Sequence, residues 1–252
     1  MRRPRRRPAG RTRLNLSGPD SALYVVRLPG PEGPGPALAA RWLARAERER
    51  FERLRHASDR WRLLLGRALA RHVLKVRYGV SDPRIALSKR GRPFLENAGV
   101  AGLDFSITHA GAWVGVGVTR AGAIGVDVIG ESELTDWGRL AAHFLAPDER
   151  REISMAPSRS RRGLAARAWV AKEAVLKAAG YGLEIDPRAV TLELEPAVTV
   201  RRLPCPIPES ACFHLHEPRL QNGYRAAVAC LGNDRCRYRN EVTELDSRRL
   251  VG

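Results

Sequence analysis

The spacing of apolar residues predicts that the first third of the chain is mostly helical. A short strand is predicted over 23–28. Helical spacing of apolar residues follows over 37–54 and 59–78. Ser58 is a suitable N-cap for the second helix, and Gly79 is a residue type that commonly ends one. The pattern therefore predicts one strand followed by two helices.

The middle of the chain has the alternation that is typical of strands. Short strands are predicted over 84–88 and 103–108. Two further apolar runs, 113–119 and 123–129, are separated only by Arg120-Ala-Gly122. This spacing predicts a β-hairpin.

Helical spacing returns in the last part of the chain, before a final set of strands. Helices are predicted over 134–155 and 161–179, with Pro147 restarting the first of them. Strands are predicted over 189–194, 211–217 and 223–230. The order of elements predicts an α+β protein of two similar α/β halves. We place the halves at 15–130 and 131–252, with a cleft between them.

Composition narrows the class of protein. The 252 residues are 44% hydrophobic and 28% charged, which is typical of a globular chain and excludes fibrous and disordered classes. No apolar run approaches the roughly 20 residues of a membrane helix, and the N-terminus has no apolar signal-peptide core. We therefore expect a soluble, cytoplasmic protein.

The net charge of +17 indicates an acidic partner. Seven Arg and two Pro fall within the first thirteen residues, so a disordered basic tail is expected over 1–14. Nucleic acid, a phosphate-rich cofactor and an acidic protein are all suitable partners. Alternatively, the Arg residues are scattered over a solvated surface and reflect only a compositional bias.

The four cysteines fall in the last fifth of the chain, at Cys205, Cys212, Cys230 and Cys236. With no export signal, we expect reduced thiols. His214 and His216 lie nearby, but the C-x-x-C spacing of a zinc knuckle is absent, so zinc is not favoured.

The segment from Trp169 to Lys177 carries the strongest chemical pattern. On a helix, Trp169, Glu173 and Lys177 are spaced four apart and share a face, with Lys172 beside it. Only four of the 44 basic residues are Lys, so two in one helix indicate positions that need a compact ammonium group. The alternative is an ordinary pair of surface Glu–Lys contacts.

A second pattern lies in the strand at 123–129. Asp127 is a lone carboxylate in an apolar strand, and an unpaired buried carboxylate is costly. Asp127 and Glu173 together would suit a hard cation such as Mg²⁺, while an Asp–Arg ion pair is the alternative. Thr108 and His109 end the preceding strand, where their side chains project into a cleft. His109 is either a phosphate donor or a structural histidine.

These segments together resemble the Sfp-type 4'-phosphopantetheinyl transferases over about 45–185. The four matching blocks, in the family's order, are Gly91-Arg92-Pro93, Phe105 to Trp113, Gly125 to Val128, and Trp169 to Gly182. The last block, W-x-x-K-E-x-x-x-K followed by G-x-G, is the most specific.

The resemblance implies a pseudo-twofold monomer that binds coenzyme A in the cleft between its halves. It implies transfer of the 4'-phosphopantetheine arm to a serine of an apo carrier protein, with release of 3',5'-ADP. Such carriers are usually acidic and serve fatty-acid, polyketide or nonribosomal-peptide synthesis. The rival classes are an Arg-rich nucleic-acid-binding protein and a synthase restricted to fatty-acid carriers, which is usually about half this length.

The resemblance also implies roles for individual residues. Asp127 and Glu173 would hold Mg²⁺ (or Mn²⁺). Glu173 is the preferred base for the serine proton, with Glu149 as the alternative. Lys177 would stabilise the leaving phosphate, and Lys172 would contact the same phosphates. The candidates for the nucleotide and its 3'-phosphate are Arg50, Arg62, Arg92, Thr108 and His109.

Three positions depart from the family pattern. Thr108 replaces a Ser and keeps the hydroxyl, and Arg92 replaces a Lys and keeps the cation. Ile129 stands where the family often has a metal-binding Glu, so another group or water would complete the metal shell.

Overall fold

A computed structural model describes residues 21–96, 102–221, 223–232 and 238–251. It is a mixed structure of helices and sheets, which confirms the predicted α+β class. The predicted tail at 1–14 and Cys236 lie outside the described residues. No described helix is long and apolar enough to cross a membrane.

The elements are named here in chain order. The strands are β1 (Ser21–Arg27), β2 (Ile85–Leu87), β3 (Pro93–Leu95), β4 (Asp104–Ala110), β5 (Trp113–Thr119), β6 (Ala123–Gly130), β7 (Thr191–Glu193), β8 (Thr199–Arg202), β9 (Phe213–His216), β10 (Tyr224–Leu231) and β11 (Tyr238–Leu245). The helices are α1 (Pro36–Trp42), α2 (Arg45–Arg53), α3 (Ala57–Val76), α4 (Trp137–Phe144), α5 (Pro147–Met155), α6 (Ser158–Ala178) and α7 (Ser247–Val251). Short 3₁₀ turns lie at Glu131–Glu133, Gly182–Glu184 and Pro187–Ala189.

The first half consists of a long helix on a sheet. The sheet has the strand order β11-β1-β5-β4, with β1 and β11 parallel and the other pairs antiparallel. Helix α3 buries Leu64, Leu65 and Leu69, whose spacing places them on one side, against Val114 and Val116 of β5. Burial of this apolar stripe fixes the helix on the sheet.

The second half repeats this arrangement with helix α6 and the sheet β6-β10-β9. The inner side of α6 is rich in alanine, which lets the helix lie close to the sheet. At Gly125 of β6, an added Cβ would overlap the backbone oxygen of Ala174. This close approach brings the polar face of α6 within reach of β6.

The two sheets face each other across a third apolar cluster. Leu23 and Val25 of β1 pack there with Val126 and Val128 of β6 and Val228 of β10. The layers therefore run from α3 through the two sheets to α6. Strand β6 lies at the edge of its own sheet, beside β4 of the other one.

The free edge of β6 is satisfied by side chains of β4. Ser106 Oγ accepts a hydrogen bond from Val126 N at 3.2 Å, and Thr108 Oγ1 accepts one from Val128 N at 3.2 Å. Asp104 Oδ2 accepts a third from Ile124 N. These three contacts join the halves without a β-ladder, and a buried edge strand needs such partners. We call this row of contacts the β4–β6 seam.

The predicted hairpin of 113–119 and 123–129 is wrong. Strand β5 pairs with β1 and β4, whereas β6 pairs with β10, so the chain crosses between sheets at Arg120-Ala-Gly122. Both sides of these strands are buried, and alternation alone does not choose a partner. Membership of the two sheets does not follow the predicted boundary between residues 130 and 131. Strand β6 belongs to the second sheet, and β11 belongs to the first.

Most predicted elements occur with shifted ends. The predicted helix at 37–54 is divided into α1 and α2 because Leu43 and Ala44 are extended. His56, rather than Ser58, is the N-cap of α3, while Gly79 has the positive φ expected after a helix. Pro147 begins α5 as predicted. Strands β3, β8 and β11 were not predicted because they are short or mostly polar.

Candidate active site

Helix α6 and strand β6 bring together the strongest candidates from the sequence. Lys177 Nζ donates to Asp127 Oδ1 at 2.6 Å and to the backbone oxygen of Val126 at 3.2 Å. Glu173 Oε2 lies 4.0 Å from the same ammonium group. The partner of buried Asp127 is therefore a lysine of α6, and the alternative of an Asp–Arg pair is not observed.

Thr108 fixes the orientation of Asp127. Its hydroxyl donates to Asp127 Oδ1 at 3.0 Å while accepting the bond from Val128 N in the β4–β6 seam. Asp127 is only 7% exposed, so these contacts offset the cost of burying its charge. A serine or threonine hydroxyl can both donate and accept in this way.

Glu173 is in an unusual electrostatic position. It is 5% exposed, and no described residue offers a hydrogen bond to its buried Oε1. Burial raises the pKa of Glu173 to about 7; the Lys177 ammonium opposes this shift and the Asp127 carboxylate adds to it. A buried carboxylate oxygen without a donor indicates a place for a bound cation or a proton.

Two pockets adjoin at this cluster. One, of about 480 Å³, is lined by Arg90, Arg92, Lys177 and the loop 180–184; we call it the cationic pocket. The other, of about 490 Å³, is lined by His109, Asp127, Ile129, Trp169 and Glu173, among others; we call it the carboxylate pocket. The Lys177–Asp127 ion pair connects the two, because Lys177 lines the first and Asp127 the second.

His109 lines the carboxylate pocket, and Arg62 lies close enough to His109 for their charges to interact. The pKa of His109 is lowered by partial burial and by the positive charges of Arg62 and Lys177. A neutral imidazole is therefore favoured. Arg62 donates to Asp59 and to the backbone oxygen of Gly111, both at 2.8 Å.

Arg50 is not brought to this cluster. It is exposed on α2, and no contact within the described residues joins it to either pocket. Arg92, by contrast, lines the cationic pocket directly.

The predicted roles of Lys172 and Glu149 need correction. Both side chains are 0% exposed, and Lys172 Nζ lies 2.6 Å from Glu149 Oε2. Lys172 also donates to the backbone oxygen of Phe144 at 2.8 Å, and Glu149 accepts from the backbone nitrogens of Ala146 and Leu192, also at 2.8 Å. Neither side chain lines either pocket, and both are fully occupied by protein groups. The pair therefore has a structural position, outside both pockets.

Ile129 both lines the carboxylate pocket and packs in the core of the second half. It is 9% exposed and lies two residues from Asp127 on the same strand. An apolar side chain at this place cannot bind a cation. The carboxylates that line this pocket are Asp127, Glu173 and Glu133, and Glu133 Oε1 already accepts from Gly130 N at 3.2 Å. Asp127 and Glu173 are hard oxygen donors of the kind that Mg²⁺ uses together with substrate phosphates.

No group of three or more His, Cys, Asp or Glu residues in the described part of the chain could hold a metal ion. Cys205, Cys212 and Cys230 form no disulfide among the described residues, and Cys230 Sγ donates to Ser21 Oγ at 3.6 Å. Cys212 Sγ lies 3.7 Å from His214 Nε2, but this pair alone does not form a zinc site.

Sequence reasoning missed Asp104, Ser106 and Tyr181. Asp104 and Ser106 occupy alternate positions of β4 with Thr108, so strand spacing predicts that the three share one side. Tyr181 lines the cationic pocket and stacks under Arg90, whose guanidinium carbon is 4.5 Å from the ring centre. Tyr181 lies between Gly180 and Gly182 in the matched block, so its position in the sequence could have indicated a site residue.

The site combines a carboxylate pair, a lysine and a cationic pocket, an arrangement that suits an enzyme acting on a phosphate-bearing substrate. Two family models match the chain: "4'-phosphopantetheinyl transferase superfamily" over residues 123–229 and "4'-phosphopantetheinyl transferase, N-terminal" over residues 31–120. They meet between β5 and β6, where the chain passes from one sheet to the other. The chain belongs to the 4'-phosphopantetheinyl transferase superfamily.

Curated relatives agree with this assignment. The chain is 28% identical over 222 residues to 4'-phosphopantetheinyl transferase HetI of Nostoc sp., covering 87% of this chain and 91% of that protein. It is 29% identical over 161 residues to 4'-phosphopantetheinyl transferase psf-1 of Bacillus pumilus, covering 63% and 67%. A solved holo-(acyl-carrier-protein) synthase of Bacillus anthracis, in complex with CoA, matches at 18% identity with a TM-score of 0.38, covering 44% of this chain and 96% of that one.

Proposed function

We propose that the protein transfers the 4'-phosphopantetheine arm of coenzyme A to a serine of an apo carrier protein and releases 3',5'-ADP. The observation that carries this proposal is the Lys177–Asp127–Glu173 cluster, which lies where a cationic pocket adjoins a carboxylate pocket. A pyrophosphate lying across this junction would present its phosphates to Lys177 and the carboxylates. An Arg-rich nucleic-acid-binding protein is not favoured, because it leaves this cluster unexplained.

The cationic pocket suits the nucleotide end of coenzyme A. Arg92 and Lys177 supply positive charge for phosphate oxygens, and the backbone of the 180–184 loop forms one wall. The carboxylate pocket then receives the pantetheine arm and the carrier serine. Its Trp169 ring packs edge-on against Phe144 with ring centres 5.1 Å apart, which gives the pocket a firm apolar wall.

Asp127 and Glu173 would hold Mg²⁺, together with phosphate oxygens and water. The Oε1 of Glu173, which has no hydrogen-bond donor among the described residues, fits this role. When bound, the metal would neutralise charge on the pyrophosphate. Thr108 keeps Asp127 in place through its hydrogen bond.

In the proposed reaction, the serine oxygen attacks the β-phosphorus of coenzyme A. A new phosphorus–oxygen bond forms to serine, the bond from this phosphorus to the bridging oxygen breaks, and 3',5'-ADP leaves with the electron pair. Lys177 would stabilise the negative charge on the leaving phosphate, because a compact ammonium suits a localised oxyanion. Glu173 is the remaining candidate for the base that takes the serine proton.

A mass measurement tests the proposal directly. The protein is incubated with coenzyme A, Mg²⁺ and a panel of apo carrier proteins of differing net charge. The expected result is a mass gain of one phosphopantetheine on a carrier, largest for an acidic one, since the chain has a net charge of +17. Unmodified carriers throughout the panel, with folded protein, would contradict it.

A further inference from the structure

The guanidinium group of Arg92 is held at one end and open at the other. Its Nη2 donates to Asp104 Oδ2 at 2.5 Å and to the backbone oxygen of Ile124 at 3.0 Å. Its Nη1 points toward Gly180, which lines the cationic pocket. A Cβ placed on Gly180 would lie 3.8 Å from this nitrogen. One edge of the planar group therefore bonds to protein, while the other edge faces the pocket.

Asp104 has a matching geometry. The same Oδ2 that accepts from Arg92 also accepts from Ile124 N at 2.8 Å, so Asp104 is fixed to strand β6. The side chains of Arg92 and Asp104 are each about a quarter exposed. A guanidinium group keeps a defined orientation only if its partner is itself fixed. Burial raises the pKa of Asp104, and the nearby Arg92 charge opposes that shift.

The other cations of the pocket are oriented in other ways. Arg90 pairs with Glu184 at 2.7 Å and stacks on Tyr181, both within the pocket wall. Lys177 bonds to Asp127. Arg92 bonds directly to Asp104 of the β4–β6 seam, so its direction depends on that residue.

We propose that Asp104 is a positioning residue, which holds Arg92 so that its open edge binds a phosphate of the nucleotide part of coenzyme A. This inference rests on the proposed function. Asp104 does not touch the substrate and acts only through Arg92. Charge-assisted hydrogen bonds to phosphate depend strongly on geometry, so a misdirected guanidinium loses much of its contribution.

The test compares Asp104→Asn with Asp246→Asn. Asparagine at position 104 can still accept from Ile124 N, but it removes the negative charge that fixes Arg92. Asp246→Asn is the matched control, because Asp246 likewise accepts from a backbone N–H and pairs with an arginine, Arg249, but lies outside both pockets. Asp104→Ser is a second variant that keeps a hydrogen-bond acceptor.

The readouts are the Kd of coenzyme A and of 3',5'-ADP by calorimetry, the KM for coenzyme A, and kcat. We expect Asp104→Asn to weaken both ligands and to raise KM roughly tenfold, with kcat near wild type at saturating coenzyme A. Asp246→Asn should leave Kd and KM near wild type, because Asp246 lines neither pocket. In an Arg92→Met background, Asp104→Asn should cause no further loss of binding.

Three results would overturn the inference. The first is wild-type ligand binding by Asp104→Asn, and the second is an equal loss in Asp246→Asn. The third is a further loss of binding when Asp104→Asn is made in the Arg92→Met background, which would assign Asp104 a purely structural role. Failure of both Asp104 variants to fold would lead to the same conclusion. If wild-type protein binds neither coenzyme A nor 3',5'-ADP, the proposed function fails instead, so the two failures are distinct.

Discussion

Replacing Lys172 with methionine tests whether this position of the W-x-x-K-E motif has a structural role. The ammonium group of Lys172 bonds to the last residue of α4, Phe144, and to Glu149 in the first turn of α5. Glu149 in turn accepts from the backbone of Ala146 and Leu192. The pair therefore ties α4, α5 and β7 to α6, and the substitution leaves a buried carboxylate without its counter-charge.

The expected loss of stability is large. Removing one member of a fully buried ion pair typically costs about 3–5 kcal/mol in the free energy of unfolding. For a chain of this size each kcal/mol lowers Tm by about 2–4 °C, so we expect a fall of about 6–20 °C. Methionine fills most of the lysine volume, so the loss of charge and hydrogen bonds, rather than a cavity, accounts for it.

The assay separates stability from chemistry. Urea unfolding and thermal melts give the stability, and kcat with coenzyme A and a carrier protein is measured well below the variant's Tm. We expect kcat per folded molecule near wild type. In a double-mutant cycle with Glu149→Gln, the combined loss should be smaller than the sum of the single losses by about 0.5–3 kcal/mol. An unchanged Tm with a sharply lower kcat would refute the reasoning and return Lys172 to the substrate.

Three further predictions concern the site and the tail. Lys177→Ala should lower kcat by about 10²–10³-fold and weaken coenzyme A binding less, because the charge of Lys177 acts mostly on the leaving phosphate. Turnover near that of the wild type would show that Lys177 is only an ion-pair partner of Asp127. Ile129→Glu should raise the apparent Mg²⁺ affinity in a titration of turnover, with kcat changed little at saturating metal; a lower Tm with no shift of the metal midpoint would show that core packing alone occupies this position. Removing residues 1–14 should preserve kcat at saturating carrier protein but reduce the salt sensitivity of carrier association, and a loss of saturated turnover would contradict this.

The sequence predicted helix α6 because the spacing of residues close together in the chain is sufficient to indicate a helix and its faces. Trp169, Glu173 and Lys177 share a face of any helix, and no Pro or Gly interrupts the segment. The sequence also predicted that Asp127 needs a partner, since burial of a lone carboxylate is costly wherever the strand lies. Both inferences depend on residues close together in the chain.

What the sequence could not decide depends on contacts between distant segments. Lys172 and Lys177 lie five residues apart on one helix, yet one is enclosed by α4 and α5 and the other reaches β6. Helical spacing does not say which neighbours will cover each side. The hairpin prediction failed for the same reason, because β5 and β6 have similar patterns and only packing assigns them to different sheets.

The sequence by itself determined most of the helices and strands and the motif residues of the site. Hydrophobic periodicity and local spacing act within a few residues, so they are readable along the chain. The tertiary structure alone decided that Lys177 pairs with Asp127, that Lys172 pairs with Glu149, and that Asp104 holds Arg92. These pairs join residues that are 12 to 50 positions apart, and charges attract whichever partner the packing of the apolar layers brings close.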